Sequence, residues 1–140
     1  SLEDYLEAIY HIVAEKQAAR AKDIVLRLGV HNSSVTQALR SLAEKGLVNY
    51  APYDLITLTE AGEAAASGVV QRHRALRAFL TDILGLDPEL AEVDACRLEH
   101  DISAQVLERL RRLMTYHRHH PEDVPCWCEQ RGDFVLAREC

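Results

Sequence analysis

Apolar residues recur every three or four positions through most of the chain, which is the spacing of amphipathic helices. The first such stretch covers residues 1 to 15. A second runs from Ala21 to Leu28 and stops at Gly29, a residue type that commonly ends helices. A third follows His31-Asn32-Ser33-Ser34, whose side-chain oxygens we expect to cap a helix that ends at Gly46. The pattern predicts three short helices joined by tight turns.

After the third helix the pattern changes to two short apolar runs, residues 47–50 and 55–58, separated by Ala51-Pro52-Tyr53-Asp54. Such runs around a turn-forming segment predict two strands of a hairpin. Helix, turn, helix and hairpin in this order are typical of a winged helix-turn-helix that binds DNA. We place this domain at residues 1–65.

Helical spacing returns beyond the hairpin. It predicts a long helix from Thr59 to about Ile83, another from Pro88 to about Ile102 and a third from Ser103 through Tyr116. From His117 onward the apolar residues no longer follow helical spacing. The predicted fold is therefore mainly α, with a winged helix-turn-helix and its small β hairpin followed by a helical dimerisation domain at residues 66–140.

The composition is typical of a globular protein. The chain has 140 residues, 48% of them hydrophobic, and a formal net charge of −6. The segment from Lys16 to Tyr50 nevertheless holds six basic residues against two acidic ones, a net charge of +4, as a DNA-contacting surface requires. No apolar run approaches the roughly 18 residues of a membrane span, and the first residues do not resemble a secretion signal. We expect a cytoplasmic protein without a membrane partner.

The face of the third helix opposite its apolar stripe carries polar side chains. They can donate to phosphates or read base edges in the major groove of double-stranded operator DNA. The predicted DNA-contacting residues are Ser33, Ser34, Thr36, Gln37 and Arg40, with Tyr53 from the wing.

Metal-ligating side chains recur at helical spacing in two further places. Asp4 and Glu7 stand three residues apart on the first helix, so that both carboxylates share a face. Cys96, Glu99 and His100 gather a thiol, a carboxylate and an imidazole on a later helix. His73 supplies a sixth donor, and we predict a metal site from these six residues.

These residues lie in motifs that resemble those of the diphtheria-toxin-repressor family of metal-activated regulators, and in particular its two-domain manganese-transport-regulator branch. The matching motifs are Glu3–Tyr10, Val30–Thr36, Arg72–Arg74 and Ala95–His100. The resemblance implies a homodimer that represses metal-uptake genes when metal is plentiful. It also implies that the family's metal ligands fall on the six donors named above.

The donor set combines features of two branches of the family. Asp4 and Glu7 resemble the manganese-responsive branch, whereas Cys96 resembles the iron-responsive branch. Arg77 and Glu92 stand where iron-type members carry the Glu and His of an ancillary site. Because a thiolate favours Fe²⁺ over Mn²⁺, we expect Fe²⁺ with Mn²⁺ close behind. The six donors could serve one ion or two ions bridged by Glu99, and we favour two because the donors come from three helices. An ion shared by the two domains would set their orientation on DNA.

The C-terminal segment adds Cys126, Cys128 and Cys140 beside several histidines. A Cys-x-Cys pair without a second pair is not typical of a structural zinc site, and we do not expect Zn²⁺ there. Two other classes compete with a repressor. A small metalloenzyme would use the same donors to activate water, but no nucleophile motif or phosphate loop accompanies them. A winged-helix regulator that senses a small organic ligand would need a mostly apolar pocket, whereas the predicted sensor face is rich in metal-donor side chains.

Overall fold

The computed structural model describes residues 1–51 and 55–140. The described chain divides into two compact units, Ser1–Val70 and Gln71–Cys140, and each has a hydrophobic core of its own. The fold is mainly α, as the hydrophobic pattern predicts. Within the described residues, no helix is both long enough and apolar enough to cross a bilayer.

The N-terminal unit contains the predicted winged helix-turn-helix. Its elements are α1 (Leu2–Lys16), α2 (Ala21–Leu28), α3 (Asn32–Glu44), β1 (Val48–Asn49) and β2 (Thr57–Leu58). Gly29 follows α2 with a φ of 64°, a left-handed conformation that a glycine adopts without steric cost. The two strands pair antiparallel, with Val48 opposite Leu58. The order of elements is the predicted one.

The ends of two elements differ from the prediction. The helix α3 starts at Asn32, with His31 as its N-cap residue and no side-chain capping hydrogen bond, so Ser33 and Ser34 lie in its first turn instead of capping it. Each strand of the hairpin has two residues, and Ile56, just before β2, pairs with Ala19 in the link between α1 and α2. The predicted wing residue Tyr53 lies outside the described residues.

One buried cluster joins the elements of the N-terminal unit. Its members come from all three helices and from the hairpin region, and they include Leu6, Ile9, Ile12, Ile24, Val35, Leu39, Leu42, Val48 and Ile56. Burying each such aliphatic side chain contributes about 1.5–3 kcal/mol to folding. The cluster holds α3 by its apolar stripe and thereby leaves the opposite face of this helix exposed.

The next helix, α4 (Glu60–Ala78), begins at a junction with the loop that precedes β1. The Thr59 hydroxyl donates to the Gly46 carbonyl at 2.6 Å and accepts a hydrogen bond from the Gly62 amide at 3.0 Å. The Thr59 amide donates to the Leu47 carbonyl at 3.1 Å. Gly62 lies so close to this carbonyl that a Cβ atom would overlap it. The start of α4 therefore requires a residue without a side chain.

The C-terminal unit comprises the end of α4, a π-helical turn (Phe79–Ile83), α5 (Pro88–Leu98) and α6 (Ala104–His119). Asp87 caps α5 by accepting a hydrogen bond from the Glu89 amide at 2.9 Å, with Pro88 in the first turn as predicted. The buried residues that join these elements are Leu76, Leu80, Ala91, Ala95 and Leu107. Two of the α5 members are alanines, whose small side chains permit a close approach of α5 to its neighbours.

The predicted helix from Pro88 to Ile102 is too long. The helix α5 ends at Leu98 and Glu99 is its C-cap residue, because the amides of Asp101 and Ile102 both turn back to the Leu98 carbonyl at 3.0 Å. Ser103 then caps α6 through the Val106 amide. Of the predicted Cys96–Glu99–His100 stripe, only Cys96 lies within the helix.

A small hairpin follows α6 where the hydrophobic pattern predicts no regular structure. It pairs β3 (Cys126–Cys128) with β4 (Asp133–Val135), and a disulfide joins Cys128 to Cys140. The Trp127 and Phe134 rings pack edge to face at 5.3 Å. Strands of three residues are too short to show a period of two, so the sequence pattern contains little sign of them.

The contact between Gly62 and Leu47 predicts opposite effects for two glycine substitutions in α4. Gly62→Ala should destabilise the protein by about 1–3 kcal/mol, because its Cβ displaces backbone. Gly68→Ala is the matched control, since no atom lies within 4 Å of its Cβ position, and it should stabilise by about 0.5–1 kcal/mol. Urea unfolding measures both changes. Equal effects of the two substitutions would contradict the close contact.

The start of α2 predicts a pH-dependent contribution from Asp23. This carboxylate accepts a hydrogen bond from the Arg20 amide at 3.0 Å, which lowers the pKa of Asp23 below 3.8, and Lys16 lowers it further. A lowered native pKa stabilises the fold above the unfolded pKa, and this stabilisation is lost as the pH falls through the native value. Asp23→Asn should cost about 0.5–1 kcal/mol at pH 7, and this cost should shrink as the pH falls below the unfolded pKa, as measured by urea unfolding at decreasing pH. A cost that does not change with pH would show that the charge is irrelevant.

Candidate metal centre and nucleic-acid interface

The exposed face of α3 carries the polar residues that the sequence predicts to contact DNA. Ser33, Gln37 and Arg40 are exposed, whereas Ser34 and Thr36 are half-buried. The Thr36 hydroxyl donates to the Asn32 carbonyl at 3.1 Å, so its proton is used within the helix. Together with Ser41 and Glu44, the side chains of Ser33, Thr36, Gln37 and Arg40 line one shallow groove. This face offers a guanidinium and an amide, the two groups best suited to bidentate base recognition.

The C-terminal unit buries one polar residue, His73, which is only 6% exposed. Its two ring nitrogens face two different carboxylates: Nδ1 lies 3.1 Å from Glu99 Oε2, and Nε2 lies 2.8 Å from Glu92 Oε1. The hydrogen bond to Glu99, reinforced by the charge of Glu92, raises the pKa of His73 to about 9 despite its burial. The imidazole is held in an anionic environment that suits a cation.

Glu99 is the second buried side chain of this cluster. Its side chain is 6% exposed, and its other oxygen, Oε1, lies 3.6 Å from His100 Nε2. One buried carboxylate thus contacts two imidazoles, although Glu99 and His100 follow the end of α5 instead of lying on it. The tertiary fold brings His73 to them from α4.

Glu92 joins the cluster from α5, although the sequence-based ligand set does not include it. Its Oε2 accepts a hydrogen bond from Arg77 Nη1 at 3.2 Å, and its Oε1 also lies 4.0 Å from the Cys96 sulfur. Burial would raise the pKa of Glu92, but the neighbouring charges of His73 and Arg77 lower it overall. The one sequence signal for this residue is that Glu92 and Cys96 stand four apart on the same face of a helix.

The types of donor gathered around His73 suit a divalent transition metal. One ligand atom each from His73, Glu92 and Cys96 lie within 4.8 Å of one another, with Glu99 on the other side of the imidazole. Nitrogen, carboxylate oxygen and sulfur together suit ions such as Fe²⁺, Co²⁺ or Zn²⁺, whereas Mn²⁺ prefers nitrogen and oxygen.

The remaining two predicted ligands, Asp4 and Glu7, lie on α1 in the N-terminal unit. Both are half-buried, three residues apart. Glu7 Oε1 lies 3.7 Å from His11 Nε2, four residues further along the same helix. The role of Asp4 and Glu7 as metal ligands stays a prediction.

The cysteines of the C-terminal hairpin form a separate group. Cys128 and Cys140 are joined in the disulfide, and the Cys126 sulfur lies 3.5 Å from His117 Nε2. Burial raises the pKa of the Cys126 thiol, and the charge of Asp82 raises it further. The expectation that no Zn²⁺ binds at these cysteines stays a prediction.

The fold and the donor cluster together define a class: a winged helix-turn-helix regulator whose helical domain binds metal. Residues 1–55 match the iron dependent repressor N-terminal DNA binding domain. Residues 59–128 match the iron dependent repressor metal binding and dimerisation domain. The chain therefore belongs to the iron-dependent repressor family, which consists of metal-dependent transcriptional regulators and not of enzymes.

Individual relatives agree with this assignment. The chain is 40% identical over 115 residues to an uncharacterized HTH-type transcriptional regulator of Methanocaldococcus jannaschii, covering 81% of this chain and 92% of that protein. It is 37% identical over 116 residues to the HTH-type transcriptional regulator MntR of Bacillus subtilis, covering 83% of this chain and 81% of MntR.

Among solved structures, the fold resembles a manganese-dependent transcriptional repressor in complex with manganese, with a TM-score of 0.73 and 29% identity, over 97% of this chain. It also resembles ScaR with bound Zn²⁺, with a TM-score of 0.71 and 29% identity, over 83% of this chain. The matched region spans 62% of the first of these chains and 54% of the second.

Proposed function

We propose that this protein is a metal-activated transcriptional repressor that binds palindromic operator DNA as a homodimer when Fe²⁺ or Mn²⁺ is bound, and so controls metal-uptake genes. The observation that carries the proposal is the buried His73 imidazole, held between carboxylates in a domain of the metal-binding type. Burying an imidazole beside two carboxylates and a thiol costs free energy, and binding of a cation by the cluster would offset this cost.

The proposed ligands in the C-terminal unit are His73, Cys96, Glu99 and His100. Glu99 contacts both imidazoles, which supports its proposed role as the bridge between two ions. Asp4 and Glu7 complete the proposed set on the strength of the sequence resemblance. A bound ion would supply the positive charge that these carboxylates and the thiolate require. Because of Cys96, we propose Fe²⁺ ahead of Mn²⁺.

In DNA binding, α3 is proposed to enter the major groove with Gln37 and Arg40 directed at base edges or phosphates. Ser33, Ser34 and Thr36 would contribute near the start of the helix, and Tyr53 would contact DNA from the wing. A dimer needs its two recognition helices about 34 Å apart to read both half-sites of a palindrome. Metal and DNA binding are then coupled, so each should strengthen the other.

Metal activation is tested by measuring operator affinity, by fluorescence anisotropy, with chelator, with Mn²⁺ and, under anaerobic conditions, with Fe²⁺. The wild-type protein should bind about 5–150-fold more tightly with metal. Glu99→Gln should lose most of this gain, because the carboxylate that joins the two imidazoles is gone, while its metal-free affinity stays the same. Glu89→Gln, an exposed residue of α5, is the charge-matched control and should behave as wild type. Equal operator affinity with metal and with chelator would contradict the proposed function.

The DNA-contacting face is tested with Arg40→Ala at saturating metal. We expect operator binding to weaken by about 1–3 kcal/mol if Arg40 reads a base, with loss of specificity at one position. If Arg40 instead contacts a phosphate, the substitution should weaken binding to all DNA sequences alike. It should also lower the slope of log affinity against log salt concentration by about one. Arg109→Ala removes the same charge from an exposed position of α6 and is the control. If both substitutions weaken binding equally, net charge and not this face governs DNA affinity.

A further inference from the structure

The Glu92 carboxylate, outside the proposed ligand set, contacts three groups of the metal-binding unit. Its Oε1 accepts a hydrogen bond from His73 Nε2 at 2.8 Å and lies 4.0 Å from the Cys96 sulfur. Its Oε2 accepts a hydrogen bond from Arg77 Nη1 at 3.2 Å. Two of these three groups are proposed metal ligands, and the third is a fixed positive charge.

The imidazole of His73 separates Glu92 from Glu99. The two nitrogens of an imidazole point in divergent directions, so one ion cannot bind both of them. Glu99 faces Nδ1 and Glu92 faces Nε2. An ion held together with Glu99 would therefore have His73 Nδ1 as its nitrogen ligand, and the Nε2 proton would stay hydrogen-bonded to Glu92. Histidine ligands of metals usually donate their second ring proton to a carboxylate or carbonyl in this manner.

Arg77 makes the Glu92 side of the imidazole unfavourable for an ion. Its guanidinium lies against the carboxylate, where it would repel a divalent cation. Exposure points in the same direction, because the Glu92 side chain is 47% exposed whereas that of Glu99 is 6% exposed. Desolvated carboxylates bind cations more strongly than those that water screens.

We infer that Glu92 and Arg77 form a positioning pair for the metal centre: Glu92 orients His73 and Cys96 for binding, and Arg77 holds Glu92 in place. The inference rests on the proposed function in taking His73 and Cys96 as ligands. It adds two residues that hold the ligands without touching the ion. The Arg77 charge also balances that of Glu92, so the pair adds no net negative charge to the cluster.

The pair is tested by titrating Co²⁺ into the chelator-treated wild type, Glu92→Gln and Arg77→Gln, with competition by a chelator of known affinity. Loss of an orienting partner typically lowers metal affinity 10–100-fold, and we expect this for Glu92→Gln with the number of bound ions unchanged. Arg77→Gln should lower affinity by less, and Arg77→Lys should restore part of the loss. Glu89→Gln should match wild type.

Two results of this titration would overturn the inference. Loss of one bound ion in Glu92→Gln would make Glu92 a direct ligand. Unchanged affinity in Glu92→Gln, or tighter binding in Arg77→Gln, would show that the pair does not support the ligands. Urea unfolding of the metal-free variants accompanies the titration, so that a general loss of stability is recognised separately.

The imidazole itself provides a second readout. In the Zn²⁺-loaded wild type, long-range ¹H–¹⁵N NMR should show the His73 ring with its proton on Nε2 and its metal on Nδ1, with His73→Gln identifying the signals. Metal on Nε2 would contradict the inference. Operator binding by the wild type, measured with metal and with chelator, separates this outcome from failure of the proposed function. If metal does not change the operator affinity of the wild type, the proposed function is refuted, and the result of the Co²⁺ titration still stands.

Discussion

The C-terminal unit is organised around one buried imidazole that has a carboxylate on each side. His73 contacts Glu99 through Nδ1 and Glu92 through Nε2, and it is almost inaccessible to solvent. A polar ring in such a place must have both nitrogens satisfied, because an unpaired buried polar group costs about 1–3 kcal/mol. Glu92 lies on α5 and Glu99 directly follows it, and α5 is held close to α4, which bears His73, by the packing of Ala91 and Ala95 with Leu76 and Leu80. The core and the candidate metal centre therefore depend on the same arrangement of α4 and α5.

In the N-terminal unit, α3 buries one face in the core and exposes the other. Leu39 and Leu42 anchor α3 in the core, and the polar groove on its far side follows from that anchoring. The loop before β1 is held by hydrogen bonds from Thr59, and the close contact at Gly62 leaves no room for a side chain there. Rigid support of this kind is what a recognition helix requires, since base contacts depend on a fixed position in the groove.

The chemistry of the metal centre combines hard and soft donors. Carboxylates and imidazoles suit Mn²⁺ and Fe²⁺ alike, and the Cys96 sulfur adds a preference for the more thiophilic ion. The guanidinium of Arg77, through Glu92, places a permanent positive charge beside this set. Charge near a site changes its affinity for every divalent ion, whereas a sulfur ligand discriminates between ions. In the proposed site, affinity and selectivity would therefore depend on different residues.

The sequence by itself determined the order of the main helices and of the first hairpin, and it predicted six candidate metal donors, because helical periodicity, glycine stops and i, i+3, i+4 spacing are local properties of the chain. It placed Cys96, Glu99 and His100 on one helix, yet α5 ends at Leu98 and the turn before Ser103 carries the last two. The contacts of His73 with Glu92 and Glu99 span 19 and 26 residues, and the hairpin at β3 and β4 has strands too short to leave a pattern. Only the tertiary structure decided these features, since they arise where distant segments pack together and no local spacing encodes that packing.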